Sequence, residues 1–196
     1  MKEQDHQSPV VSVIIPALNE IHLQRTIENI LKNAELPIEI IAILDGYWPE
    51  PPINDHPSVR LLHNTESRGQ RHSINDACKF ARGKFMMKLD GHCAVGPGFD
   101  RILSRDCEYD MTMVPRMYNL DIDTFEPKKH RRTDYMFLGY IEGSLRSLYY
   151  ERKHGKQRQP KSDKEIDEIM TCMGPGWFMH LDRFWELGGC DERHGH

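Results

Sequence analysis

Residues 10–20 read Val-Val-Ser-Val-Ile-Ile-Pro-Ala-Leu-Asn-Glu. Residues 10–15 are a β-branched run closed by Pro16, the pattern of a parallel strand buried on both faces. Asn19 then offers a helix N-cap. Leu23, Ile27, Ile30, Leu31 and Ala34 recur at helical spacing, which predicts an amphipathic helix over roughly residues 20–34.

The alternation continues outward from this unit. Pro37 breaks the helix, and residues 38–44 (IEIIAIL) read as a second strand ending at Asp45-Gly46. The Pro-rich residues 49–57 are a loop, and residues 59–63 a short third strand. Ser67 and Gln70 stand at capping-box spacing. They open a helix whose buried face carries Ile74, Ala77, Cys78 and Ala81 and which ends near Gly83. Residues 85–89 form a fourth strand ending at Asp90. Strands alternating with helices imply an α/β fold, a mostly parallel Rossmann-like sheet flanked by helices. Right-handed crossovers bring the strand C-terminal ends to one rim, where ligands of open α/β sheets bind. Asn19, Asp45, Arg68 or Arg71, and Asp90 all fall on that rim.

The second half is less regular. Residues 98–107 read as a helix and 111–115 as a strand. Residues 125–160 carry Lys128, Lys129, His130, Arg131, Arg132, Arg152, Lys153, Lys156 and Arg158, either a solvated insert or a ligand surface. Residues 172–180 resume an apolar run containing Gly174, Pro175 and Gly176. Asp182 is placed to cap a short helix over 183–187, ended by Gly188-Gly189. The chain stops at Arg193-His194-Gly195-His196 just after a loop has begun, so a C-terminal truncation of the fold is expected.

The 196 residues suit one domain, and a net charge of −4 provides no broad basic face for nucleic acid. No apolar run is long enough to span a bilayer, and the polar N-terminus is not a signal peptide. Five cysteines, an odd number with no C-x-x-C pair, predict reduced thiols in a cytoplasmic domain. Such a domain can still meet a membrane surface through a region or partner outside this chain.

Asp90-Gly91-His92 carries the chemistry. Gly91 permits a sharp turn and close approach of a ligand. A carboxylate and an imidazole two residues apart can share one divalent ion, and the mixed donor set favours Mn²⁺ over Mg²⁺. Such an ion neutralises the charge that builds on a departing diphosphate. The triplet alone is also a common turn, and its place at the end of a central strand is what favours the site.

With these residues assembled, the chain resembles the family 2, GT-A-fold glycosyltransferases. Residues 11–20 are similar to their opening strand followed by P-x-x-N-E. Residues 40–46 resemble the second strand, with Leu44 where the family usually has the first of two aspartates. Residues 64–83 resemble the helix with Arg near its start and A-x-G at its end, and residues 84–92 the strand ending in D-x-D. The D-x-H variant followed by Cys93, together with Phe184-Trp185-Glu186-Leu187-Gly188-Gly189, resembles the polypeptide N-acetylgalactosaminyltransferase branch.

This resemblance implies one domain over residues 1–196, with a nucleotide-binding half over about 8–95 and an acceptor-side half over about 96–196. It implies a hexosyl- or N-acetylhexosaminyltransferase moving a sugar from a nucleotide-sugar, a UDP-sugar by preference, to a glycan, lipid or protein hydroxyl. Pro16, Ala17, Asn19 and Glu20 would line the base and ribose pocket. Asp45 would accept a hydrogen bond from the base, and Arg71 or the competing Arg68 would lie near the base or diphosphate. Asp90 would touch ribose and metal beside Gly91, with His92 on the metal. Gly174, Pro175, Gly176 and Trp177 would border sugar and acceptor. Asp191 and Glu192 are the candidates for the general base that an inverting transfer needs.

Structural readings stand beside these. Asn19 serves as a cap, Asp45-Gly46 as a turn, Arg71 as a partner of a helix-surface acid and Trp177 as core. His180 reads as structural, and His194 and His196 read as late metal ligands or as a solvated tail. Two other classes stay open. One is a non-catalytic nucleotide- or sugar-binding module on the same fold. The other is a nucleotidyltransferase-like enzyme, although neither G-x-x-x-x-G-K-[ST] nor G-x-G-x-x-G occurs.

Overall fold

The structure is a computed structural model that describes residues 8–133, 136–141, 144–149, 166, 168, 169 and 174–193. Cys172, Arg152, Lys153, Lys156, Arg158, His194 and His196 lie outside the described residues. The chain forms two compact units, Met1–Met113 with Pro175–His196, and Val114–Gly174.

The first unit contains β1 (Val11–Ala17), α1 (Leu23–Asn33), β2 (Ile38–Asp45), β3 (Val59–Asn64), α2 (Gln70–Cys78), β4 (Phe85–Leu89), α3 (Phe99–Asp106) and β5 (Thr112–Met113). The second contains β6 (Met117–Asp121) paired antiparallel with β7 (Glu126–Thr133), and β8 (Met136–Ile141) paired antiparallel with β9 (Ser144–Tyr149). Lys128 of the basic stretch is ion-paired with Asp121 at 3.1 Å. The chain returns to the first unit with β10 (Gly176–His180) and α4 (Leu181–Glu186).

The first unit's sheet has six strands in the order β3-β2-β1-β4-β10-β5. The first four are mutually parallel, and β10 runs antiparallel to β4 and β5. This is the mostly parallel, helix-flanked α/β sheet expected from the sequence. Alternation along the strands divides the core. Val11, Val13, Ile15, Phe85, Met87 and Leu89 pack with Leu23, Ile27 and Ile30 of α1 and Phe99 and Leu103 of α3. Ile14, Ile41, Ile43 and Met86 pack with Ile74, Ala77 and Cys78 of α2 and Phe184 of α4. Helices on both faces explain why these strands read as continuous apolar runs.

Several local expectations are corrected. Pro16 lies inside β1 opposite Ile43 rather than ending it. Pairing of β1 with β4 stops at Ile14, so the missing Pro N–H falls where only one neighbouring strand remains. Asn19 does not cap α1: its φ is +51°, a left-handed conformation that Asn tolerates better than most residues, and the N-cap position is His22. Ser67 does not cap α2, whose N-cap is Gly69. Asp182 lies in the first turn of α4, after the N-cap His180. Among the described residues, no helix is long and apolar enough to cross a membrane.

Candidate active site

The rim is held by a relay of side chains between strand ends. Asp45, at the end of β2, is 3% exposed. Its carboxylate accepts hydrogen bonds from Asn64 Nδ2 (2.8 Å), Ser67 Oγ (2.9 Å), and the backbone N–H groups of Arg68 and Gly69 (both 2.9 Å). Four donors fill the roughly four lone-pair directions of a carboxylate. Burial alone raises this carboxyl's pKa, but those four hydrogen bonds outweigh it and hold the group below the usual aspartate range. Asp45 thus does from across the rim what Ser67 was expected to do locally, taking the amide hydrogens that lead into α2. Gly46 follows with φ +80°, and a Cβ there would stand 2.6 Å from Ser67 N.

Gln70, the first residue of α2, extends the relay by donating Nε2 to Asp90 Oδ1 at 3.4 Å. Asp90 follows β4, and its backbone N–H is held by Pro175 O at 3.1 Å. The same Oδ1 is ion-paired with Lys88 Nζ. Lys88 sits between Ile14 and Trp177 in the sheet register. It is 1% exposed, among the largest side chains fully buried in the protein. Sequence reasoning passed over it, although a lysine inside the apolar strand FMMKL was the available signal, because lysines are almost never buried without a partner.

The β1–α1 loop supplies the third side of the site. Glu20 Oε2 lies 2.7 Å from His92 Nδ1, and Glu20 Oε1 accepts from His22 N at 3.1 Å. Gly91 lies between the two loops, and its carbonyl accepts from the fully buried Thr26 Oγ1 at 2.7 Å. Cys93 is packed next to this turn. Burial, then the Asp90 charge, pushes its thiol pKa up to about 11.

Ala17 is buried at the end of β1 beside the half-buried Pro16. Arg68 Nη1 reaches Asp76 at 2.5 Å, and Arg71 Nη1 donates to the backbone carbonyl of Asp191 at 3.1 Å. Gly176 pairs with Leu89 and Trp177 with Lys88. The Trp177 ring stacks on Phe184 at 6.1 Å. The Asp191 carboxylate meets Arg193 at 3.1 Å. Glu192 meets Asn75 Nδ2 at 2.8 Å and His72 Nε2 at 3.2 Å. Asn75 also pins Cys190 through both its N–H and its carbonyl, each at 2.9 Å. His180 packs on Phe85 at 4.4 Å. Gly174 belongs to the second unit.

The Asp90 side chain is 21% exposed and already paired with the Lys88 ammonium, and the His92 side chain is 56% exposed. They offer a carboxylate and the imidazole nitrogen that does not face Glu20. Among the described residues, no group of three or more His, Cys, Asp or Glu is arranged to hold a metal ion.

The sequence over residues 12–188 matches the family described as Glycosyl transferase family 2. The chain belongs to that family. No curated protein matches this family 2 chain in sequence. Among solved structures, it is similar to the mannosyltransferase PcManGT from Pyrobaculum calidifontis in complex with GDP-Man and Mn²⁺. The identity is 22% and the TM-score 0.37, over 45% of this chain and 29% of that one. It is also similar to S. aureus TarS 1–349, at 18% identity and a TM-score of 0.39, over 48% of this chain and 30% of that one. The matched part thus spans less than a third of either neighbour.

Proposed function

We propose that this chain forms the donor-binding part of a glycosyltransferase, moving a sugar from a nucleotide-sugar to an acceptor hydroxyl. The observation that carries this reading is the rim itself. Asp90 and His92 follow the central strand β4, tied to the loops after β1 and before α2 through Glu20 and Gln70. The donor is a UDP-sugar, hexosyl or N-acetylhexosaminyl, a reading supported by the resemblance of the D-x-H segment to that of the polypeptide N-acetylgalactosaminyltransferase branch. The acceptor is a glycan, lipid or protein hydroxyl. The free thiols of Cys78, Cys93, Cys107 and Cys190 agree with a cytoplasmic setting.

In this reading Pro16, Ala17 and the left-handed turn at Asn19 shape the pocket for base and ribose. Asp45 shapes the neighbouring loop from inside, and a base N–H would have to share an acceptor already used four times. Arg71 and Arg68 supply positive charge on the α2 side. Asp90 and His92 would hold Mn²⁺, or Mg²⁺, against the diphosphate beside Gly91. The chemistry supplied by such an ion is neutralisation of the charge that develops on the leaving diphosphate. Gly176 and Trp177 border the sugar. In an inverting transfer Asp191 or Glu192 takes the acceptor proton.

The Lys88–Asp90 pair favours a second reading, a nucleotide-sugar-binding module without turnover. There an internal ammonium already neutralises the carboxylate that a metal would need. Thermal shifts with UDP-, GDP- and CDP-sugars, each with and without Mn²⁺, separate the two. Stabilisation by a UDP-sugar that requires Mn²⁺ and is lost in His92→Ala supports the metal-dependent enzyme. Metal-independent stabilisation supports the module, and no nucleotide response at all sinks both.

A further inference from the structure

We propose that Glu20 is a positioning residue for His92, fixing the ring so that Nδ1 carries the proton and Nε2 presents its lone pair to a divalent cation. This rests on the metal reading of the site given above. An ionised carboxylate only accepts hydrogen bonds, so at 2.7 Å from Glu20 Oε2 the His92 Nδ1 atom must be the donor. In a neutral imidazole the other nitrogen is then the acceptor, the form a metal binds. Carboxylates in this relation to a metal-ligating histidine fix ring orientation and raise its basicity as a ligand.

Three features show that the arrangement is built in. Glu20 is itself held, because its second oxygen accepts from His22 N at 3.1 Å. Its side chain is 17% exposed against 56% for His92, so the carboxylate is the fixed partner and the ring the presented one. Its stem passes directly over Gly91, where a Cβ would stand 2.5 Å from Glu20 Cγ and 3.3 Å from Glu20 Cβ. Glycine between Asp90 and His92 therefore leaves room for the residue that orients His92.

The test uses the full chain labelled with ¹⁵N, with the His92 ring signals assigned by comparison with His92→Gln. Long-range ¹⁵N–¹H correlation above the imidazole titration range reports the tautomer without metal or activity. Wild type is expected in the Nδ1–H form. Glu20→Ala, and Gly91→Ala, which displaces Glu20 while keeping both partners, are expected to revert to the Nε2–H form that free histidine prefers. Glu20→Gln, whose amide oxygen still accepts, is expected to fall between. In calorimetry with UDP present, Mn²⁺ affinity is expected to fall about 10–100-fold in Glu20→Ala and Gly91→Ala. An Nε2–H ring in wild type, a tautomer indifferent to Glu20→Ala, or unchanged Mn²⁺ affinity overturns the proposal. If the tautomer responds to Glu20 but wild type binds no Mn²⁺ with UDP, the metal reading falls and the Glu20–His92 coupling stands.

Discussion

Lys88 and Asp90 stand two residues apart at the end of β4 and form an ion pair whose lysine side chain is 1% exposed and whose carboxylate is 21% exposed. The two ends are not equivalent. The carboxylate reaches the rim and can take water in place of its partner, whereas the ammonium lies inside the sheet.

That asymmetry predicts unequal costs. Asp90→Asn removes the counter-charge of a buried ammonium and is expected to destabilise by about 2–4 kcal/mol, somewhat below the range for fully buried pairs because one end is at the rim. Lys88→Met, an apolar chain of similar volume, is expected to change stability by about 1 kcal/mol or less. Urea denaturation of the two variants measures the difference, and equal costs would refute this account of the pair.

Asp45 predicts a pH dependence. Its folded pKa is held low, so its stabilising contribution is present above the unfolded pKa and is lost as pH falls through the folded one. Asp45→Asn is expected to cost about 2–4 kcal/mol at neutral pH, since the new amide N–H₂ faces donors. The gap to wild type should narrow below the ordinary aspartate range, as read from urea midpoints at neutral and acid pH. A gap independent of pH would show that the hydrogen bonds do not depend on the charge.

Gly46→Ala meets two obstacles at once. Its φ of +80° disfavours any side chain, and the added methyl would stand 2.6 Å from the Ser67 backbone nitrogen. A loss of about 2–4 kcal/mol is expected. Loss of amide-exchange protection around Arg68 and Gly69 should accompany it, because the loop that must yield is the one tied to Asp45.

Thiol chemistry reports on the turn after Asp90. With its pKa near 11, Cys93 is thiolate only on the order of one part in a thousand at pH 8 and should resist iodoacetamide. Burial raises the Cys78 thiol as well, so it should resist too. Rapid labelling of Cys93 in folded protein at pH 8, followed by peptide mapping, would contradict the packing described for this turn.

Strand identity was readable because each buried strand announces itself in neighbouring residues: Val11 to Ile15, the run from Ile38, and Phe85 to Leu89 needed no distant context. The helix starts were misread for the opposite reason. Asn19, Ser67 and Asp182 all have side chains suited to capping, but Asn19 is spent on a left-handed turn, Ser67 on Asp45, and Asp182 lies past the N-cap. Such competition is decided by which partner arrives from elsewhere in the chain.

The amino-acid sequence alone determined the alternation of strands and helices, the mostly parallel sheet, and the places of Asp45 and Asp90 at the ends of β2 and β4, because apolar periodicity and crossover handedness are local rules. Tertiary structure alone decided what those side chains do. Asp45 turns inward to the loop before α2, Lys88 takes Asp90 from within the sheet, and Glu20 crosses 72 residues of chain to meet His92. Hydrogen-bonding capacity is short-ranged and exhaustible, so a polar group's role is fixed only when folding has chosen which donors and acceptors stand within about 3 Å of it.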